Sequence, residues 1–248
     1  MPDDPAKQAV GDDAIRTNHL IVCEGKGDLY FLRAIIDRHK VSDIQVMRTG
    51  EGDSGFSHKL TQLQKIGQLD LVSSVLLVSD NDNKPDQKFK TLADQVKDVG
   101  DLPVPRQRLR VAVKKGQPHV AILMIPWHVR RGSMSGDRAG DLETLILDVM
   151  EKAKPKVSKC VDSFVECTPA KTWEISPQSK MRLAAFISAT CKKAPNCSTA
   201  DMWQKNKKFQ DLLDEPLFAP LVSYLKKLSK YVDKERGEKL KLSLGVLA

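Results

Sequence analysis

The chain has 248 residues with 41% apolar side chains and a net charge of +8, a composition typical of a globular protein and not of a disordered one. Its longest apolar runs, at 75–78 and 120–126, are too short to span a membrane, and its polar start shows no secretory signal. The five cysteines include no C-x-x-C pair, which argues against a disulfide scaffold or a Cys-rich zinc site and favours a cytoplasmic protein.

The first part of the chain predicts alternating strands and helices. Runs such as Val75–Val78 are continuously apolar, as in buried strands, whereas Leu29, Leu32 and Ile35 share one face of a helix. Strands are predicted at 19–23, 43–47, 73–79, 106–114 and 119–126, and helices at 28–39, 56–69, 85–99 and 140–152. The segment 127–139 is predicted to be a loop. This order predicts an α/β fold, in which a mostly parallel sheet carries helices on both faces.

From residue 153 onwards, helical patterns dominate, with helices predicted at 179–192, 200–213 and 216–232. We therefore divide the chain into a flexible N-terminus (1–16), an α/β core (17–152) and a basic helical extension packed on that core (153–248). Residues 1–150 carry 21 basic and 21 acidic side chains, whereas residues 151–248 carry 19 and 11. This asymmetry suits a polyanion bound to the extension; the alternative is an ordinary lysine-rich exterior.

Acidic residues follow two of the predicted strands. Glu24 ends the first strand and Asp28 begins the next helix, while Asp80 and Asp82 end the strand at 73–79. The carboxyl ends of parallel strands share one edge of the sheet, so we expect these carboxylates to converge. Clustered carboxylates repel one another unless cations offset their charge, and Mg²⁺ prefers such oxygen ligands.

Other roles remain open for the same side chains. Asp28 also suits the first turn of a helix, and the Asp80-Asn-Asp82 segment also suits an Asx turn. Asp141 is expected to cap the helix at 140–152, which leaves Glu143 as the preferred further metal ligand from this segment. The three tryptophans are expected in the core or at an interface.

Two of these segments resemble motifs of the Toprim domain superfamily. Residues 20–32, an apolar strand that ends in Glu24-Gly25, resemble its first motif, and Val75–Asp82 resembles its D-x-D motif. The added Asp28 and the later Leu142-Glu143 pair resemble the OLD-nuclease-like branch and an uncharacterised stand-alone Toprim-like family. The resemblance covers roughly residues 17–190. Asn83 departs from it, because many Toprim proteins have glycine after the D-x-D motif.

The resemblance implies one or two bound Mg²⁺ or Mn²⁺ ions. Their ligands would be five carboxylates: Glu24, Asp28, Asp80, Asp82 and Glu143. Lys180 would support transition-state charge, and Glu24 could act as a base when one metal is bound. OLD nucleases contain an ATPase, but this sequence has no P-loop, so an ATPase partner would be a separate chain.

We therefore expect a Mg²⁺-dependent phosphodiesterase that acts on nucleic acid, with catalytic residues Glu24, Asp80, Asp82 and Lys180. The alternative is a non-catalytic Toprim-like module that binds nucleic acid or a partner protein and in which a metal is only structural. Nucleotidyl transfer ranks below both. The residues expected to contact phosphates are basic: Arg130, Arg131, Arg138, Lys205, Lys207 and Lys208. The sequence does not distinguish DNA from RNA and does not indicate an oligomeric state.

Overall fold

A parallel sheet forms the centre of the protein in this computed structural model. The structure describes residues 14–50, 55–130, 133–205, 207–231, 236–237 and 239–240. The strands of the sheet are β1 (His19–Cys23), β2 (Ile44–Arg48), β3 (Ser74–Asp80) and β4 (His119–Ile125). They are ordered β2-β1-β3-β4, and every neighbouring pair is parallel. The predicted α/β fold with a mostly parallel sheet is therefore confirmed.

Helices cover both faces of this sheet. The helices between the strands are α1 (Lys26–Arg38), α2 (Gly55–Lys65) and α3 (Pro85–Asp98). Successive strand residues point to opposite faces, so Leu20 packs in a core with α2 and α3, whereas Ile21 packs in a second core with α1. This two-sided burial explains why the strands are continuously apolar.

The C-terminal helices cover the face of the sheet that also carries α1. They are α4 (Leu142–Ala153), α5 (Pro155–Glu166), α6 (Ile175–Thr190), α7 (Thr199–Lys205), α8 (Lys207–Gln210) and α9 (Ala219–Leu228), with short 3₁₀ turns at Gln68–Leu71, Pro169–Thr172 and Asp211–Asp214. Trp127 is buried beneath them, and its Nε1 donates to the Leu217 carbonyl at 3.1 Å. The extension therefore shares one hydrophobic core with the α/β part.

Two sequence predictions require correction. The predicted strand at 106–114 is wrong, because only Ala112 makes a bridge to Val120 and Leu109 has a positive φ of 61° that interrupts extended backbone. The predicted loop at 127–139 contains a small antiparallel hairpin of β5 (His128–Arg130) and β6 (Ser133–Ser135). The Pro/Lys-rich stretch after residue 153 forms α5, because Pro155 occupies its first turn, where proline is tolerated.

The predicted flexible N-terminus lies outside the described residues up to position 13. Residues 14–16 are packed, since Ile15 is buried and its amide donates to Gln68 Oε1 at 2.7 Å. Within the part of the chain that the structure describes, no helix has both the length and the apolar composition needed to cross a membrane.

We predict that the α/β core and the helical extension unfold together. Phe186 on α6 is fully buried in the shared core, so Phe186→Ala should lower the free energy of unfolding by about 3–5 kcal/mol in a single transition. Phe164→Ala is the control, because Phe164 is 47% exposed on α5. Urea denaturation followed by circular dichroism and by tryptophan fluorescence measures both variants. Separate transitions for the two signals would contradict the shared core.

Candidate functional site

The carboxyl ends of β1 and β3 bring two of the predicted site residues together. The two strands pair in parallel with Cys23 opposite Val78, so Glu24 follows one strand beside the point where Asp80 ends the other. Ser79 Oγ donates to Glu24 Oε1 at 2.9 Å, which links the two strand ends directly. The parallel sheet therefore determines this part of the site.

Asp28 extends the cluster from the first turn of α1. Its Oδ2 accepts the Gly25 amide at 2.9 Å, so the helix-start role that the sequence left open is real. Burial of the carboxyl group raises the pKa of Asp28 to about 6, and the charges of Glu24 and Glu143 add to the shift. Asp28 thus caps the helix and faces other carboxylates at the same time.

Asp80 connects the sheet edge to the start of α4. Its Oδ1 accepts the Leu142 amide at 3.0 Å, which places Glu143 near the same edge. Loss of hydration raises the pKa of Asp80 well above its usual value, and the charges of Asp28, Asp141 and Glu143 contribute. Burial also raises the pKa of Glu143, although Thr199 Oγ1 donates to its Oε1 at 2.8 Å.

Asp141 is confirmed as the cap of α4. Its Oδ1 accepts the Thr144 amide at 3.0 Å and the Ser179 hydroxyl at 2.6 Å, while its Oδ2 accepts Ser176 Oγ at 2.7 Å. Lys180 Nζ lies 3.9 Å from Asp141 Oδ2. Buried and fully paired, Asp141 holds the start of α6 against the cluster.

Lys180 faces the cluster from α6. Its positive charge partly offsets the raised pKa values of Asp28 and Glu143. The helix begins earlier than the sequence predicted, at Ile175, so Lys180 lies within it and not at its start. Lys180 therefore lies near the acidic edge, as its expected role requires, but it is not at the start of the helix.

Asp82 lies beside the cluster and is paired with a lysine that the sequence analysis missed. Lys88 Nζ lies 3.0 Å from Asp82 Oδ2 and 3.1 Å from Glu24 Oε1, so one ammonium joins the two strand ends. The carboxylates raise the pKa of Lys88 despite its partial burial, which alone would lower it. The sequence did contain an indication of this role. Lys88 lies in the first turn of α3, where the helix dipole disfavours a cation, so a nearby negative charge could have been expected.

The described residues contain no group of three or more His, Cys, Asp or Glu side chains arranged to hold a metal ion. The carboxylate oxygens are instead directed to other partners, namely Lys88, the Leu142 amide and Thr199. The metal site therefore stays a prediction. The donor set nevertheless fits Mg²⁺ chemically, because it consists of carboxylates. A bound divalent cation would favour their ionised form and so lower their raised pKa values.

Of the basic residues expected to contact phosphate, Arg138 is paired within the protein. Both of its terminal nitrogens donate to Asp148, with Nη2 at 2.9 Å from Oδ1, and this pairing raises the pKa of the guanidinium. Arg131 and the side chains of Arg130, Lys205, Lys207 and Lys208 lie outside the described parts of the structure. Phosphate binding by these residues stays a prediction.

Residues 18–230 match the family model described as "Protein of unknown function (DUF3226)". Because the match covers most of the chain, the protein belongs to this family. No curated protein and no solved structure matches the chain.

We predict that the protein without metal loses stability as the pH rises from 4 to 8. Folded Asp28 keeps its proton to about pH 6, whereas unfolded aspartate releases it near 3.8, so the folded state binds more protons between these values. The shift corresponds to roughly 3 kcal/mol. Asp28→Asn should weaken the dependence of the free energy of unfolding on pH, measured by urea denaturation in EDTA.

The matched control for this prediction is Asp86→Asn. The Asp86 side chain is 95% exposed and pairs with Arg108. A dependence on pH that is the same in wild type and Asp28→Asn would contradict the buried, mutually repelling arrangement of Asp28, Glu24 and Glu143.

Proposed function

We propose that the protein is a Mg²⁺-dependent phosphodiesterase of the Toprim type that acts on nucleic acid. The observation that supports it is the convergence of Glu24, Asp28, Asp80 and Glu143 at one edge of the sheet. Carboxylates that repel one another do not stabilise a fold, so their presence together at this edge favours a cation-dependent function. The resemblance of the Glu24-Gly25 and Asp80-x-Asp82 segments to Toprim motifs supports the same reaction class.

In this proposal Glu24, Asp28, Asp80, Asp82 and Glu143 hold one or two Mg²⁺ or Mn²⁺ ions. A bound divalent ion supplies an acidified water and offsets the charge of a phosphate. The protein residues hold the donor oxygens in place: the Leu142 amide fixes Asp80, the Gly25 amide fixes Asp28 and Thr199 fixes Glu143. When only one metal is bound, Glu24 would instead accept a proton from water.

Lys180 has the second role in the proposal. Its ammonium faces the carboxylates from α6, and its side chain is 57% exposed, so a phosphate can approach it. A cation at this position would offset negative charge that develops on a phosphate. The basic residues beyond 150 would add affinity for the polyanion without taking part in the chemistry.

The proposal also includes a location and a partner. A cytoplasmic location is consistent with five cysteines that form no disulfide in the structure's described residues. The resemblance to OLD nucleases adds a separate ATPase partner chain to the proposal.

The deciding experiment uses Asp80→Asn. The variant keeps an oxygen that can accept the Leu142 amide, so we expect it to fold, yet it removes one charge from the centre of the cluster. Calorimetry should show Mn²⁺ affinity at least about tenfold weaker, because a charged ligand is lost. Cleavage of plasmid, single-stranded DNA and tRNA with Mg²⁺ or Mn²⁺ should disappear.

Asp86→Asn is again the control, since Asp86 lies on α3 but pairs with Arg108. Cleavage by the wild type that needs no divalent ion, or Mn²⁺ binding that is equal in wild type and Asp80→Asn, would overturn the proposal.

The bridge made by Lys88 favours the alternative, a non-catalytic module. One ammonium within 3.1 Å of both Glu24 and Asp82 offsets their repulsion without any metal. A protein that only binds nucleic acid or a partner protein needs such internal neutralisation, whereas a metalloenzyme must displace it. The two functions therefore predict opposite effects for the loss of Lys88.

We predict that Lys88→Met raises Mn²⁺ affinity about tenfold in the enzyme, because the ammonium no longer competes for Glu24 and Asp82. In the non-catalytic module the same change would leave any Mn²⁺ affinity unchanged and would lower the thermal stability. Calorimetry and thermal denaturation in EDTA measure the two effects. Lys90→Met, an exposed position on the same helix, is the control.

A further inference from the structure

Trp173 is an exposed tryptophan in the segment that leads into α6. It lies between the 3₁₀ turn Pro169–Thr172 and α6, and it is 48% exposed, whereas Trp127 and Trp203 are buried. The next residue, Glu174, accepts a hydrogen bond from Asn83 Nδ2 at 2.6 Å. Because Asn83 directly follows Asp82, the segment that carries Trp173 is joined to the acidic edge of the sheet. The expectation that the tryptophans lie in the core or at an interface is confirmed for Trp127 and Trp203, whereas Trp173 lies outside the core and its place at an interface stays a prediction.

The backbone on both sides of Trp173 is fixed. The Trp173 amide donates to the Ala170 carbonyl at 3.0 Å, and Gln178 Nε2 donates to the same carbonyl at 2.9 Å. On the other side, Ser176 Oγ donates to the buried Asp141 at 2.7 Å. The backbone that carries Trp173 is therefore held on both sides, in part by the residue that caps α4, and needs little reorganisation to receive a ligand.

The surroundings of the ring favour a small planar ligand over a protein partner. Its neighbours in the chain, Lys171, Thr172 and Glu174, are exposed and polar, and Ile175 adds one apolar side chain. Protein-docking patches are contiguous apolar surfaces of several hundred Å². A single aromatic face among charged groups instead resembles the platforms on which unpaired bases stack.

We propose that Trp173 stacks on an unpaired base of a single-stranded nucleic acid whose neighbouring phosphate lies at the carboxylate cluster. This inference rests on the proposed function and specifies its substrate class, because a base within a duplex is not available to the ring. Lys180 lies on the same helix that follows Trp173 and faces the cluster, so base and phosphate would be bound by one continuous segment.

The test compares Trp173→Leu with the wild type in EDTA, which prevents metal-dependent cleavage. The ligands are oligothymidylate and an abasic phosphodiester oligomer of the same length, measured by fluorescence anisotropy of labelled oligomers. The wild type should bind oligothymidylate about tenfold more tightly than the abasic oligomer, in line with one stacked base. Trp173→Leu should bind both oligomers equally, and at the wild-type affinity for the abasic one.

Phe164→Leu is the matched control, because Phe164 is exposed to a similar extent, 47%. It should keep the preference for oligothymidylate. Equal loss of binding in both variants would indicate a general apolar surface and would overturn the inference. So would a wild type that does not distinguish the two oligomers, or a blunt duplex that binds as tightly as the single strand.

The outcomes separate this inference from the proposed function. Binding that depends on Trp173, combined with no cleavage at any concentration of Mg²⁺ or Mn²⁺, would keep the stacking platform and overturn the phosphodiesterase. Metal-dependent cleavage with a Trp173→Leu variant that retains the preference for bases would overturn the platform and keep the phosphodiesterase.

Discussion

Repulsion among carboxylates at one edge of a parallel sheet is the constraint on which the rest of this structure depends. Asp28, Asp80 and Glu143 all have raised pKa values because each is buried away from water and because each lies close to other acids. The neighbouring elements offset this repulsion with backbone amides, hydroxyl groups and the ammonium groups of Lys88 and Lys180. The packing around the cluster is thus an electrostatic requirement as well as a hydrophobic one.

The helical extension completes this arrangement. Thr199 at the start of α7 donates to Glu143, and Ser176 and Ser179 on α6 donate to Asp141. Gly140, which precedes that cap, has a φ of 127°, and a Cβ there would lie 2.5 Å from Thr144 Oγ1, so glycine is required for the cap to form. The segment that carries the whole net positive charge, residues 151–248, therefore also provides part of the walls of the acidic site.

Two cations near the cluster have different geometric roles. Lys88 contacts Glu24 and Asp82 directly, and both contacts lie within 3.1 Å, whereas Lys180 lies 3.9 Å from Asp141 and is more exposed. A directly paired ammonium competes with any other cation for the same oxygens. An exposed ammonium at the rim is free of that competition and can meet an incoming anion. This difference is why the proposed chemistry assigns phosphate to Lys180 and competition with metal to Lys88.

The sequence by itself determined the parallel sheet and the convergence of Glu24 with Asp80. Continuously apolar strands are typical of a buried parallel sheet, and acids that follow such strands lie at the same edge of it. It also indicated the cap at Asp141. Only the tertiary structure decided that Lys88 lies between Glu24 and Asp82, that Asp148 pairs with Arg138 and that Trp173 is exposed. It also decided that 106–114 forms no strand. These features depend on side-chain directions and on contacts between distant segments, whereas periodicity describes only the local path of the backbone.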